Sequence, residues 1–126
     1  MTWSHGSFHW NELMARDPEK AKTFYGTTMG WTFDAMPMEF GTYWIAKMAD
    51  KSVAGIFPLN GPGFAGVPEQ WMSYIAVDDV DARVKIATAS GAMLMRPISD
   101  VAGVGRIAIL REPGGAGIGW ITPVKS

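Results

Sequence analysis

Glu12 is the carboxylate of this chain best placed by its neighbours to do chemistry. The stretch from Ser7 to Met14 alternates, with Phe8, Trp10, Glu12 and Met14 on one side and His9, Asn11 and Leu13 on the other, which suits a strand better than a helix. On that reading Glu12 shares a face with Trp10, and a carboxylate is costly to bury there unless it is paired or protonated. Such a group could hold a cationic ligand or act as acid or base. It could equally make a structural hydrogen bond to backbone or to Tyr74, its counterpart 62 positions on. Both readings are open at this point. Trp10, Trp44, Phe57, Tyr74 and Trp120, with Met72, offer a stacking wall for a planar or apolar molecule, although two packed layers would claim part of such a set as core. Trp31 and Trp71 flank strands or turns and are expected to pack.

Other chemistry is thinner. One step along a strand turns His9 to the face opposite Trp10, so it is expected to be exposed or locally hydrogen-bonded. His5 is given no role. Arg106 follows Gly103-Val-Gly and could anchor an anionic group at a pocket mouth, but an arginine at a strand start is more often solvated. The run Gly103-Val-Gly-Arg-Ile-Ala108 superficially satisfies a dinucleotide fingerprint, yet it leads into the β-favouring Ile-Ala-Ile-Leu rather than a helix whose N-terminus could face a pyrophosphate. No Ser-His-Asp arrangement, Walker loop or metalloprotease motif is present. With no cysteine at all, disulfides, thiolate catalysis and Cys-ligated metal are removed.

These residues must be positioned by elements, and the chain builds the same unit twice. After the first strand, Asp17 can accept from the first free N–H groups of a helix, Pro18 presets φ, Glu19 suits the positive helix end, and Gly30 permits a left-handed exit. Ala21, Phe24, Tyr25 and Thr28 are expected to form its inward stripe. Three β-favouring runs come next: Trp31-Thr-Phe, Tyr43 to Met48 and Ser52 to Phe57. A stretch rich in proline and glycine then separates the halves. The second half repeats the plan, with a strand from Gln70 to Val77, a helix from Val80 to Ser90 opened by Asp79 and closed by Gly91, and short runs at 92–95, 106–110 and 118–122. Val80, Val84 and Ala87 should point inward. Asp17 and Asp79 lie 62 positions apart, and Ala54-Gly55-Ile56 recurs as Ala116-Gly117-Ile118 at the same offset. The expectation is one domain over residues 1–126, with modules at about 7–57 and 70–122 and a linker at 58–69. A four-stranded sheet with one helix leaves its other face bare. The predicted class is therefore α+β: two βαβββ modules forming a curved mixed sheet around a cleft, with the helices outside.

Composition agrees with a globular chain. At 126 residues, 48% hydrophobic and 18% charged, it has enough apolar surface for a core. A net charge of −1 without a Lys/Arg cluster argues against nucleic acid and membrane as partners. No segment is long enough to span a bilayer and the start has no signal-peptide character, so the cytoplasm is the default location.

Asp-x6-Phe-Tyr at Asp17 to Tyr25, Gly30-Trp31, the Val77-Asp-Asp-Val-Asp-Ala82 helix start and the Glu112-Pro-Gly-Gly turn together resemble the vicinal oxygen chelate superfamily, the glyoxalase, bleomycin-resistance and extradiol-dioxygenase group. The resemblance covers nearly the whole chain. It implies the fold, but its members include lyases, dioxygenases, thiol transferases and drug binders, so it does not imply one reaction. Metal-dependent members place a His seven residues before the Asp that follows the first strand, and a Glu seven residues after the start of the terminal turn. Here those places hold Trp10 and Gly119, and the internal offset adds Met72 and Phe57. Indole, phenyl, thioether and no side chain are not ligands for zinc, nickel, iron or manganese. The resemblance thus implies a protein without metal or other cofactor, pairing as a homodimer and binding an apolar or aromatic small molecule. The alternative is a glyoxalase-like lyase or isomerase using Glu12, with Tyr74, for proton transfer.

Overall fold

A computed structural model describes residues 3–124; the outermost two residues at each end of the expected domain lie outside the described residues. The elements run β1 (Phe8–Ala15), α1 (Pro18–Met29), β2 (Thr32–Met38), β3 (Gly41–Met48), β4 (Lys51–Pro58), β5 (Gln70–Ala76), α2 (Val80–Ala89), β6 (Met93–Leu94), β7 (Ser99–Val101), β8 (Gly105–Arg111) and β9 (Gly117–Pro123). The class is α+β, and βαβββ occurs twice with β7 as an extra strand. The chain gathers into two compact units, one formed by Trp10–Met72 and the other by the residues before Trp10 together with those from Ser73 on.

In the N-terminal unit the strand order is β2-β3-β4-β1. Strands β1 and β4 pair parallel, and the other pairs are antiparallel. The second module repeats the scheme as β5-β9-β8-β6, with β5 and β9 parallel and β7 also on β8. Both helices begin where their aspartates say they should: the Asp17 carboxylate accepts from the Lys20 N–H at 3.2 Å, and that of Asp79 from the Ala82 N–H at 3.1 Å. Gly30 and Gly91 take φ of 73° and 101°, the left-handed conformation that lets the chain leave a helix.

The helices seat differently. Val80 and Val84 of α2 are buried in a cluster with Val77, Ala108, Leu110 and Ile118, and Ala87 packs on its edge, as the apolar spacing predicted. Helix α1 has no buried residue. Phe24, expected to point inward, is 56% exposed, and the Thr28 hydroxyl turns back to the Phe24 carbonyl at 2.7 Å. Tyr25 does pack, stacked on Trp31 with ring centroids 5.1 Å apart and accepting from the Trp71 indole N–H at 3.1 Å. Trp31 packs as expected, whereas Trp71 is 43% exposed and meets Tyr25 only edge-on, with ring centroids 5.7 Å apart.

The linker is more structured than its proline and glycine content implied. Pro58 closes β4, Leu59 is buried, and 62–64 form a single 3-10 turn. Arg16 ties this stretch to the end of β1, its amide donating to the Glu69 carboxylate at 3.0 Å and its guanidinium to the Phe64 carbonyl at 3.1 Å.

Candidate functional site

Strand alternation sorts the candidate residues onto faces, and register with the neighbouring strands decides which of them meet. On β1, Leu13 and Ala15 line an open groove of about 470 Å³ with Asp17, Lys20, Ala21 and Phe24, so they lie on the helix side. Trp10, Glu12 and Met14 therefore occupy the other side. Gly55 is in register with Glu12, and Phe57 with Met14, which brings β4's Gly55 and Phe57 onto the Glu12 face. Ile45 of β3 is in register with Gly55, so Tyr43, two residues away, shares that face as well. Phe57 lies among rings, 4.6 Å from Phe40 and 5.3 Å from Phe64 between centroids.

Glu12 is 8% exposed and is the charged residue buried among those described. No buried side-chain nitrogen or oxygen among the described residues lacks a hydrogen-bond partner. The desolvation cost of placing a carboxylate on this face is thus offset by hydrogen bonding. The Trp10 indole N–H donates to the Tyr43 hydroxyl at 2.8 Å, and the Tyr43 phenol lies over Gly55, where a Cβ would strike the hydroxyl and the ring.

Trp44 is not part of this face. It is in register with Ile56, which is in register with Leu13, so it belongs to the helix side. There the Lys22 ammonium sits 3.2 Å from its ring centroid, a cation–π contact with α1. Tyr43 is the aromatic that reading the sequence missed. The signal for it was Gly55, because a glycine inside a strand often marks the close approach of another group.

In the C-terminal unit Tyr74 is in register with Gly119 and its ring covers that glycine. Tyr74 and Met72, both 5% exposed, are core-like side chains of one face of β5. Trp120 corrects a second expectation. It is in register with Ile75 and Ala108 and packs on the α2 cluster, so it is core on the helix side rather than wall.

Arg106 corrects a third. It is in register with Thr122, whose hydroxyl accepts from the Val80 N–H at the start of α2, so it too faces the helix. Its guanidinium grips Asp81 in bidentate fashion at 2.7 and 3.1 Å and reaches Asp100 at 3.1 Å. Hydrogen bonds to Asp81 and then Asp100 raise its pKa, and the Arg106 hydrogen bond lowers that of Asp81. A guanidinium committed to two carboxylates is a clasp between α2, β7 and β8, not an anion anchor. His9 is exposed, as expected. His5 plays a structural part, its Nδ1 accepting from the Asp78 N–H at 3.0 Å.

The positions that would hold a metal need one revision. Glu12 and Tyr74 are counterparts, and they are in register with Gly55 and Gly119 respectively. The counterpart of Gly119 is therefore Gly55 and not Phe57. Taken position by position along the sequence, these places hold Trp10, Gly55, Met72 and Gly119, and within each unit a tyrosine ring fills the space above its glycine. These residues do not fit a divalent cation, and no three His, Cys, Asp or Glu side chains gather at a metal-binding distance among the described residues.

The sequence profile of the Glyoxalase/Bleomycin resistance protein/Dioxygenase superfamily matches residues 7–119. The putative glyoxylase CFP32 of Mycobacterium tuberculosis is 35% identical over 119 residues, 93% of this chain and 46% of its own length. The anthracycline biosynthesis protein DnrV of Streptomyces peucetius is 34% identical over 124 residues, 88% of this chain and 45% of its own. The chain spans less than half the length of these two relatives. A methylmalonyl-CoA epimerase from Mycobacterium tuberculosis superposes with a TM-score of 0.66 at 16% identity, covering 99% of this chain and 93% of that one, a likeness of fold.

Proposed function

Because the chain belongs to the Glyoxalase/Bleomycin resistance protein/Dioxygenase superfamily, we propose that it binds a planar apolar or aromatic small molecule, without a metal, on the Glu12 face of its N-terminal unit. One observation carries this reading: Trp10, Tyr43 and Phe57, all half-buried, share the face on which the corner positions hold no metal-ligating side chain. Half-exposed rings stack with little loss of side-chain freedom. Glu12 supplies the polar group that orients a ligand bearing hydrogen-bond donors or positive charge. The name of the anthracycline biosynthesis relative points the same way, toward polycyclic aromatic ligands.

Thermal-shift screening of planar aromatics, including the cationic 9-aminoacridine, tests the reading, since a molecule that binds only the folded form raises the melting temperature by mass action. The expected result is a dose-dependent rise that Trp10→Ala abolishes. A panel that shifts neither protein, or both equally, removes the proposal. We further propose that the protein works as a homodimer in the cytoplasm. No described helix is long and apolar enough to cross a membrane. A monomer by light scattering would remove the pairing and leave the site untouched.

A second reading is favoured by the burial of Glu12 and by the glyoxylase name of a relative. It makes the protein a lyase or isomerase in which Glu12 moves a proton. Conversion of methylglyoxal with glutathione, lost in Glu12→Gln, is its expected signature. Equal turnover in that variant ends it.

A further inference from the structure

A tryptophan on the open face of a strand has two soft side-chain torsions, and nothing in the strand fixes the plane of its ring. A ligand stacking on it would have to order it first, which weakens binding. In this chain a second residue does the ordering. The Trp10 indole N–H donates to the Tyr43 hydroxyl at 2.8 Å. Trp10 belongs to β1 and Tyr43 to β3, with β4 lying between them. Two strand spacings are roughly 9–10 Å, farther than one phenol reaches from its own backbone, so each ring must lean toward the other across the middle strand.

The middle strand permits this at Gly55. A Cβ there would collide with the hydroxyl and with carbons of the Tyr43 ring, so any other residue would close the passage. Three residues on three adjacent strands thus act as one device: Gly55 admits Tyr43, and Tyr43 holds Trp10. Met72, 62 positions on from Trp10, has a thioether side chain with no N–H to donate, so the second module cannot repeat the device.

We infer that Tyr43 is a positioning residue for ligand stacking on Trp10, and Gly55 the residue that admits it. The inference rests on the reading that this face binds planar aromatic molecules and adds the residue that pre-organises the platform. Its test is a double-mutant cycle on the full chain, with 9-aminoacridine affinity read by fluorescence titration. Tyr43→Phe keeps the ring over Gly55 and removes only the hydroxyl, while Trp10→Phe keeps a ring and removes the N–H. Each single change is expected to weaken binding about three- to tenfold, the worth of one hydrogen bond. The double variant should bind no more weakly than Trp10→Phe alone, because with the N–H gone the hydroxyl no longer orders the ring at position 10. In Tyr43→Phe the Trp10 indole N–H proton resonance should also shift, with the melting temperature near that of wild type. An undiminished effect of Tyr43→Phe in the Trp10→Phe background overturns the inference and leaves the binding reading standing, as does no effect in wild type. Failure of wild type to bind any planar aromatic overturns the reading and the inference with it.

Discussion

The N-terminal and C-terminal modules place a glycine at the equivalent point of equivalent strand pairs and cover it from opposite directions. In the C-terminal unit the in-register neighbour, Tyr74, lays the near part of its own ring over Gly119 and is almost fully buried. In the N-terminal unit the in-register neighbour is the carboxylate Glu12, and the cover comes from Tyr43 on the other flanking strand, which brings only the far end of its ring. The same arrangement of strands thus yields a closed apolar surface in one case and a polar, half-open one in the other. The helices show the same contrast. Helix α2 drives Val80 and Val84 into a core cluster, whereas α1 buries no residue and leaves Phe24 out. The second module commits its side chains to packing, and the first keeps a carboxylate and partly exposed rings on one face, as a binding surface requires.

Three comparisons would break or sharpen this contrast. The largest effect is expected at the glycines. Gly119→Ala meets the base of a buried ring that cannot swing away and should cost about 2–3 kcal/mol, read by denaturant unfolding. Gly55→Ala meets the movable end of Tyr43 and should cost only about 1 kcal/mol, because the lower entropy of the unfolded chain offsets part of the clash. Equal costs at the two positions would erase the distinction. Next come the helices. Val84→Ala should destabilise by about 2 kcal/mol through lost burial, while Phe24→Ala should stay within about 0.5 kcal/mol, as exposed positions do. A large loss at Phe24 would mean that α1 is seated as firmly as α2.

The smallest effect concerns Asp78, whose hydrogen bond to Arg83 holds its carboxyl down from 3.8 to about 2. A carboxyl depressed on folding contributes stability that is present above its unfolded value of 3.8 and lost as pH falls through about 2. The melting temperatures of wild type and Asp78→Asn should therefore differ slightly at neutral pH and converge as the pH drops from about 4 toward 2. The pair is exposed, so screening keeps the gap small. A gap that persists at pH 2 would assign the effect to something other than this carboxyl.

Local chemistry written in the sequence survived into the structure. Asp17 and Asp79 cap their helices, Gly30 and Gly91 release them, and alternation put Trp10 and Glu12 on one face. What failed depended on register and on partners far away in the chain. Tyr43 and Trp44 are adjacent aromatics in an apolar strand, so alternation says that they part company but not which one faces the helix; pairing with β4 decides it. The same holds for Trp120, whose neighbours Gly119 and Ile121 make either face plausible. Arg106 looked available because Asp81, its main partner, comes from a helix 25 residues earlier. Phe57 was assigned a corner by a fixed offset of 62, yet 43 residues separate Glu12 from Gly55 and 45 separate Tyr74 from Gly119. Two extra residues in the second module put the Ala-Gly-Ile likeness out of step with the strands. Gly55 was the one legible hint of Tyr43, since an interior strand glycine needs a reason.

The most direct test of a metal-free aromatic binding face is calorimetric titration of 9-aminoacridine into chelator-treated protein, wild type beside Trp10→Ala. Saturable binding to wild type, unchanged when zinc is restored and lost in Trp10→Ala, is the predicted result. Binding that appears only with zinc, or that Trp10→Ala retains in full, would contradict it.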